Sequence, residues 1–310
     1  MKDKLSIVVP VYYNEDNLKP LYEEIKTKLL DTAPFDCEII MVDDGSGDRS
    51  FAVMWELAEK DDRIKIFHLS RNFGSHAAIL CGLSHATGDC VVIKAADLQE
   101  PTEMIFDMYN SWKHGNNVVL AVRKGREEGK GQKLFADFYY WLVRKAALPN
   151  MPKGGFDTFL LDKQVISTLT MLDEKNSAIT GQILWSGFRT DIVYYVRKVR
   201  EIGKSRWTLK KKIHLVTDTL FSFSSLPIKI VIGIGSVSML GAIVWALVAL
   251  ISKLSGKIEV SGFTTLLIVQ LLSFGIIMLT LGLLGGYLWR TFDASRKRPV
   301  YIEEKNNRNA

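Results

Sequence analysis

The segment from Val91 to Pro101 contains residue types that can bind a metal ion. Its first residues, Val91 to Ile93, are apolar and β-branched and predict a buried strand. Asp97 and Gln99 follow two positions apart, so on an extended segment both side chains point to one side and offer oxygen to a hard cation. The alternative interpretation is that Asp97 only caps a helix that begins near Pro101.

Polar residues follow other predicted strands in the same way. Apolar runs predict strands at residues 5–12, 38–42, 64–69, 91–93 and 117–122, with helices at 17–30, 50–60 and 77–86 between them. This alternation is typical of an α/β protein with a parallel, doubly wound sheet, whose strands end at one shared edge. The polar residues at that edge are Tyr12 to Glu15, Asp43 and Asp44, Arg71 and Asn72, and Asp97 to Gln99. Such a cluster favours a metal ion and a sugar or base with many hydroxyl and amide groups.

The middle of the chain is less regular. Residues 132–148 predict an aromatic and basic helix that either lies at a membrane interface or packs on the sheet. Gly154 and Gly155 predict a turn that presents Asp157, and a helix is predicted to follow through Met171. A predicted strand at 192–199 and a basic segment at 200–207 precede a second interfacial helix at 208–223.

The last third of the chain predicts a membrane anchor. Residues 230–251 and 261–289 contain no charged side chain, and each run exceeds the roughly 20 residues that a helix needs to cross a bilayer. Lys and Arg are concentrated before the first run and after the second. By the positive-inside rule, the large N-terminal part and the tail lie in the cytoplasm and a helical hairpin enters the membrane.

Charge and cysteine content narrow the choice of partners. The net charge of +6 is concentrated beside the apolar runs, so it indicates contact with lipid headgroups and not with nucleic acid. The three cysteines show no metal-binding spacing, and thiols of a cytoplasmic domain stay reduced. No cleavable signal sequence is predicted, because the chain enters an apolar strand within its first residues.

Taken together, these segments resemble family 2 glycosyltransferases of the polyprenyl-phosphate branch, which includes dolichol-phosphate mannose synthases and bactoprenol glucosyltransferases. The matching segments, in chain order, are Pro10 to Glu15, Val42 to Ser46, Ala96 to Pro101, Gly154 to Asp157, Arg200 to Trp207 and the two apolar runs. One position departs from the family pattern. Where the family has Asp-Ala-Asp, this chain has Ala95-Ala96-Asp97, so one carboxylate of the predicted donor site is absent.

The resemblance implies a GT-A fold and an inverting transfer of a hexose, glucose by default, from a UDP-sugar to undecaprenyl or another polyprenyl phosphate for the cell envelope. Nucleotide binding is then assigned to Pro10, Tyr12, Glu15 and Asp43. Asp97 and Gln99 would hold Mg²⁺ or Mn²⁺, and Asp157 matches the residue that the family uses as a catalytic base. Because a phosphate monoester is already mostly ionised at neutral pH, Asp157 is also expected to orient a sugar hydroxyl or the acceptor.

Cations near the predicted edge are candidates for binding the phosphates of the donor and the acceptor. They are Arg123, Arg126, Arg200 and Lys204, and each has the alternative of being solvated surface charge. The expected organisation is a cytoplasmic GT-A catalytic domain at 1–205, an amphipathic interfacial segment at 206–227, transmembrane helices within 228–290 (about 228–252 and 261–289) and a cytoplasmic tail at 291–310. The protein is therefore expected in the inner (plasma) membrane, where a hairpin anchor is compatible with a homo-oligomer.

Two other functions remain open at this point. A processive polysaccharide synthase shares the fold, but residues 203–207 lack the Gln of that class's Gln-x-x-Arg-Trp motif. A non-catalytic, membrane-anchored binder of nucleotide sugars would explain Ala95. The expectation of activity is favoured, because Mg²⁺ commonly uses one or two carboxylates together with phosphates and water.

Overall fold

A computed structural model describes residues 2–124, 139–172, 174, 177–198, 209–255 and 262–304. Within them, eight strands form one sheet in the order β7-β5-β6-β4-β1-β2-β3-β8. The strands are β1 Lys4–Val11, β2 Asp36–Asp43, β3 Ile64–Leu69, β4 Cys90–Ile93, β5 Val118–Arg123, β6 Thr158–Asp162, β7 Thr190–Tyr195 and β8 Glu303–Glu304. Strands β1 to β4 are mutually parallel, which confirms the predicted doubly wound α/β arrangement.

Helices cover both faces of the sheet. The helices that pack on the sheet are α1 Glu15–Ile25, which continues as a π-helix over Lys26–Leu30, α2 Ser50–Ala58, α3 Ser75–His85, α4 Met104–Lys113, α5 at 139–146, α6 Lys163–Met171 and α7 Ile179–Trp185. Helices α1, α2 and α4 contribute to one apolar core, and α3, α5, α6 and α7 contribute to the other. In β1, Ile7 belongs to the first core and Val8 to the second. Burial on both faces explains why the central strands are continuously apolar.

The segment after Asp157 differs from the prediction. A helix was expected to run through Met171, but Thr158–Asp162 forms β6, antiparallel to both β4 and β5. Residues 158–161 are buried, and a short apolar run buried on both faces fits a strand and a helix equally well by periodicity. Helix α6 begins only at Lys163, where the Asp162 side chain accepts a hydrogen bond from the Gln164 N–H at 2.8 Å and caps the helix.

The C-terminal helices are long and apolar. The structure forms α8 Leu209–Phe223, α9 Leu226–Leu254 and α10 Phe263–Ser295. Two stretches, Leu226–Val248 and Val269–Ser295, are long and apolar enough to cross a membrane. Arg290 of α10 donates to Asp218 of α8 at 2.6 Å, so α8 is joined to the end of the second apolar helix.

Part of the tail after α10 returns to the sheet. Residues 303–304 form β8, which pairs antiparallel with β3 at the edge of the sheet. The Ser70 N–H also donates to the Ile302 carbonyl at 2.9 Å. A two-residue strand has no periodicity that a sequence could reveal, so the prediction of a cytoplasmic tail at 291–310 did not include this return to the sheet.

Glu38 of β2 is a buried carboxylate that binds several neighbours at once. Burial by itself raises the pKa of Glu38, but the hydrogen bonds it accepts outweigh burial and lower the pKa to about 2. The donors belong to Ser6, Thr87, Lys4 and Lys65. The stabilisation from this depressed pKa is present above the ordinary carboxyl pKa of 4.5 and is lost as the pH falls towards 2.

We therefore expect Glu38→Gln to lower the free energy of unfolding by about 2 kcal/mol at pH 7. The difference from the wild type should shrink as the pH is lowered to 3, because the wild-type carboxylate loses its advantage there. Chemical denaturation of the detergent-solubilised protein at both pH values measures this. Glu59→Gln, an exposed carboxylate of the same domain, is the matched control. A destabilisation of Glu38→Gln that is equal at both pH values would contradict the assignment.

Candidate active site

The loop after β4 presents the predicted metal ligands. Leu98 has a φ of 60°, and this turn brings the Gln99 N–H to 3.3 Å from the Asp97 Oδ1. The Asp97 side chain is only 15% exposed, and Gln99 is buried. Both side chains therefore belong to an ordered loop at the C-terminal ends of the parallel strands, where α/β proteins bind their ligands.

Arg197 is a site residue that sequence reasoning missed. Its Nη2 lies 3.5 Å from the Asp97 Oδ2 and also donates to the Gln99 Oε1. Burial, and secondly the nearby Arg123 guanidinium, lowers the pKa of Arg197. Its Nε is buried without a hydrogen-bond partner among the described residues. A buried donor of this kind is costly unless a ligand accepts from it, so Arg197 is placed to bind an anion.

The same contacts test whether these residues suit a divalent cation. The Asp97 carboxylate and the Gln99 amide oxygen converge on one cationic group, the Arg197 guanidinium. Two oxygens that converge on a positive charge are a suitable partial ligand set for Mg²⁺ or Mn²⁺, with phosphate oxygens and water completing it. Ala95 supplies no third side-chain ligand. The metal assignment of Asp97 and Gln99 fits this geometry and stays a prediction.

Asp157 faces a cation across two adjacent strands. It immediately precedes β6 and forms an ion pair with Arg123, the last residue of β5. Because β5 and β6 are antiparallel, the end of one strand and the beginning of the other meet at the same edge. Asp157 is 59% exposed and Arg123 19%, so the carboxylate stays open to solvent while the guanidinium is mostly enclosed. This exposure suits a residue that contacts a substrate.

Asp43 is enclosed by protein groups. It is fully buried, and it accepts hydrogen bonds from the Ser46 hydroxyl and from His68 Nδ1, the latter at 2.8 Å. Its neighbour Asp44 accepts from the N–H of Phe73 at 2.7 Å and so holds the loop after β3. The predicted contact between Asp43 and the nucleoside stays a prediction, and in this structure its carboxylate shapes the surrounding loop.

The first predicted nucleotide motif follows β1. Pro10 is half-buried in that strand, and the Tyr12 N–H donates to the Asn14 Oδ1 at 3.0 Å. Tyr13 has a φ of 55°, which an L residue rarely adopts and which often marks a functional turn. The Glu15 carboxylate accepts from the Arg49 N–H at 2.8 Å. The motif is therefore connected to the loop after β2, as expected for one shared binding surface.

The three remaining predicted cations, Arg126, Arg200 and Lys204, lie outside the described residues. Lys198, which precedes Arg200 and Lys204 in the chain, is among the described residues. The Lys198 N–H donates to the Gln99 carbonyl at 2.9 Å, and the Gln99 amide donates back to the Lys198 carbonyl at 3.1 Å. Lys198, which precedes the basic segment in the chain, is therefore hydrogen-bonded directly to the Asp97 loop.

Lys94 supports the same loop from inside. Its side chain is 2% exposed, and its ammonium donates to the Glu100 carbonyl at 2.8 Å. The Glu100 carboxylate in turn accepts from the Ala95 N–H at 3.2 Å. Burial lowers the pKa of Lys94, and the charge of Glu100 acts in the opposite direction. These bonds hold the loop at the position where the family pattern has a further carboxylate.

A second group of potential metal ligands lies elsewhere. Ligand atoms of Cys81, His85 and Glu303 are within 4.8 Å of one another. Glu303 belongs to β8, which is four strands from β4 in the sheet and thus about 19 Å away. Burial raises the pKa of the Cys81 thiol to about 12, which disfavours the thiolate that a metal needs. This group is separate from the predicted donor site.

Known proteins are similar to this chain over nearly its whole length. Residues 6–170 match the model of the family described as glycosyl transferase family 2. An uncharacterized glycosyltransferase, YkcC, of Bacillus subtilis is 36% identical over 305 residues, which cover 97% of this chain and 93% of that protein. The prophage bactoprenol glucosyl transferase homolog of Escherichia coli is 32% identical over 300 residues, which cover 96% of this chain and 98% of that protein.

Solved structures show the same fold at low sequence identity. Mannosyl-3-phosphoglycerate synthase of Rubrobacter xylanophilus matches with a TM-score of 0.51 and 16% identity, over 70% of this chain and 72% of its own. Glucosyl-3-phosphoglycerate synthase of Mycobacterium tuberculosis, solved with Mn²⁺, UDP-glucose and phosphoglyceric acid, matches with a TM-score of 0.50 and 14% identity, over 71% of this chain and 78% of its own. The chain belongs to glycosyltransferase family 2, and it is a glycosyltransferase with the GT-A fold.

Proposed function

We propose that this chain transfers a hexose, glucose in the first instance, from a UDP-sugar to undecaprenyl or another polyprenyl phosphate at the cytoplasmic face of the membrane. One observation carries the proposal. The Asp97 loop is hydrogen-bonded to Lys198, from which the chain continues through the basic segment to the apolar helices. A donor bound at the loop would therefore lie beside the residue from which the chain leads to the lipid-facing helices. Several relatives that match nearly the whole chain are named bactoprenol glucosyl transferase.

On the donor side, Asp97 and Gln99 would hold Mg²⁺ or Mn²⁺ against the diphosphate. When bound, the cation would neutralise charge on the leaving diphosphate. Arg197 contacts both oxygens, and since the part of the chain that the structure describes offers its Nε no acceptor, this group would donate to a phosphate oxygen. The nucleoside is assigned to the surface formed by the first two motifs, with Pro10, Tyr12, Glu15 and Asp43.

On the acceptor side, we assign Asp157 the orientation of a sugar hydroxyl or of the acceptor phosphate. The second pKa of a phosphate monoester is about 6, so the acceptor phosphate is mostly ionised at neutral pH and hardly requires a base to remove a proton. Its oxygen would attack the anomeric carbon as the bond to the diphosphate breaks, and a single displacement inverts the configuration. The ion pair with Arg123 holds the Asp157 carboxylate at the edge of the sheet.

The charges around the membrane helices support the proposed location. Arg123, Arg126, Arg200 and Lys204 are the proposed phosphate-binding cations, and the last two precede α8 in the chain. We propose that the catalytic region and both termini are cytoplasmic and that the apolar helices form a hairpin in the plasma membrane, since basic residues flank both sides of the hairpin. Self-association of this anchor is compatible with the fold and can be measured by crosslinking in membranes.

A lipid-extraction assay tests the function. Membranes or detergent-solubilised protein would be incubated with undecaprenyl phosphate and radiolabelled UDP-glucose, with UDP-galactose and UDP-N-acetylglucosamine in parallel. A short lipid-linked product with one sugar supports the proposal, and the preferred donor identifies the sugar. A polymer would instead indicate a processive synthase. Binding of UDP without any product would indicate a non-catalytic binder, the function that the absence of a carboxylate at Ala95 would favour.

Neutralising Arg200 and Lys204 together should weaken use of the lipid acceptor. Attraction to an anionic surface contributes about 1 kcal/mol per basic residue, so the double change to Gln should raise the apparent KM for undecaprenyl phosphate roughly tenfold or more. The KM for the donor should barely change. Acceptor titrations at several salt concentrations measure both values. Lys19→Gln with Lys60→Gln, exposed lysines in α1 and in the turn after α2, forms the control pair. Normal acceptor kinetics in the double variant would move the acceptor phosphate to Arg123 and Arg126.

A further inference from the structure

The tail that follows the second apolar helix packs against the catalytic region. Val300 and Tyr301 contact the apolar core between the sheet and α3. The Tyr301 hydroxyl is 2.9 Å from the Ser84 hydroxyl, and His85 Nε2 is 2.8 Å from a Glu303 carboxylate oxygen. These contacts, together with the pairing of β8 and β3, connect the end of the membrane hairpin to the edge of the sheet.

His68 lies between the tail and the loop after β2. Its Nδ1 is 2.8 Å from the Asp43 Oδ2, and its Nε2 is 3.7 Å from a Glu304 carboxylate oxygen. The strand register explains this arrangement, because Asp43 pairs with His68 and His68 pairs with Glu304 across three adjacent strands. Side chains directly opposite each other on neighbouring strands are close enough to interact. A carboxylate only accepts, so Nδ1 must carry the proton that it donates to Asp43.

Asp43 passes this restraint on to the proposed nucleotide surface. Its carboxylate binds both the hydroxyl and the N–H of Ser46, and the Ser46 hydroxyl accepts from the Tyr13 N–H at 2.9 Å. Tyr13 is held there in its positive-φ conformation, and its ring packs on Tyr12 at 4.7 Å between centroids. A continuous set of contacts therefore joins Glu304 of the tail to the tyrosines that follow β1.

We propose that His68 is a positioning residue of the donor site, and that docking of the C-terminal tail, through the pairing of β8 with β3 at His68, fixes its orientation. His68 holds Asp43, and Asp43 holds the loop on which the nucleotide is proposed to lie. Only the last step, the position of the nucleotide on that loop, rests on the proposed function. A membrane hairpin whose end is fastened to the sheet would thus contribute directly to affinity for the donor, and not only to attachment.

Two substitutions distinguish the roles of the two nitrogens of the His68 ring. The amide nitrogen of Asn replaces Nδ1, so His68→Asn keeps a donor for Asp43. The amide nitrogen of Gln replaces Nε2, so His68→Gln loses that donor. We expect His68→Gln to weaken UDP binding and to raise the donor KM about tenfold, the size expected for a lost hydrogen bond to a buried carboxylate, with little change in kcat. His68→Asn should remain within about threefold of the wild type.

Glu304→Pro tests the tail, because it removes a backbone N–H from the pairing of β8 with β3, and it should raise the donor KM less than His68→Gln does. His114→Gln, an exposed histidine whose Nδ1 contacts only the Asn110 carbonyl at 2.6 Å among the described residues, is the matched control. Calorimetry with UDP is combined with hydrogen exchange of residues 43–47, which needs no turnover. Faster exchange in His68→Gln and in Glu304→Pro, with protection retained in His68→Asn, supports the inference even if the wild type transfers no sugar. Unchanged UDP affinity and exchange in His68→Gln would overturn it.

Discussion

Asp157→Asn is expected to abolish sugar transfer and to leave UDP affinity unchanged. The carboxylate lies at the beginning of β6, is open to solvent and pairs with Arg123, whereas the proposed diphosphate ligands lie on the loop after β4. Loss of an orienting contact at the reacting centre reduces kcat by about 100-fold or more. Asparagine keeps the shape of the side chain but removes the charge that Arg123 binds.

Calorimetry with UDP and the lipid-extraction assay measure the two halves of this result. Asp107→Asn, an exposed carboxylate in the first turn of α4, is the control for a general effect of lost negative charge. A large loss of UDP affinity in Asp157→Asn would place this residue in the donor site. Full activity would show that the ion pair with Arg123 is only structural.

Asp97→Ala is expected to remove both turnover and metal-dependent binding of the nucleotide. With Ala95 in the motif, Asp97 contributes the one carboxylate of the predicted ligand pair, the other ligand being the Gln99 amide. Without it, the Arg197 guanidinium loses its acidic contact and a divalent cation has only a neutral side-chain ligand. Loss of electrostatic stabilisation of a leaving group costs about 10²–10³-fold in kcat or more.

The reverse change should strengthen the site. Ala95→Asp adds the carboxylate that the family pattern contains, and it is expected to tighten Mn²⁺ binding or to widen the range of metals that support activity. Ala95→Asn has nearly the same size without the charge and serves as the control. UDP titrations with Mn²⁺ and with EDTA give the metal-dependent part of the affinity. Normal turnover in a folded Asp97→Ala protein would overturn the metal assignment.

Much of the site was accessible from the sequence because its residues follow buried parallel strands. The apolar runs of β1, β2 and β4 are continuous, and such strands deliver their next residues to one edge of the sheet. That rule brought together the segments after these strands without any knowledge of their contacts. The same rule did not find Arg197, because the predicted strand ran to residue 199 and included it. In the structure β7 ends at Tyr195, so Arg197 lies after the strand.

The sequence by itself determined the α/β class, the polar loops that follow the parallel strands and the apolar C-terminal helices. These features depend on local periodicity and length. Tertiary structure alone decided the insertion of β6, the return of the tail as β8 and the burial of Asp43 between Ser46 and His68. Each of these depends on pairing between segments far apart in the chain. Hydrogen bonds to a neighbouring strand, and not the residues' own propensities, choose the conformation of such short segments.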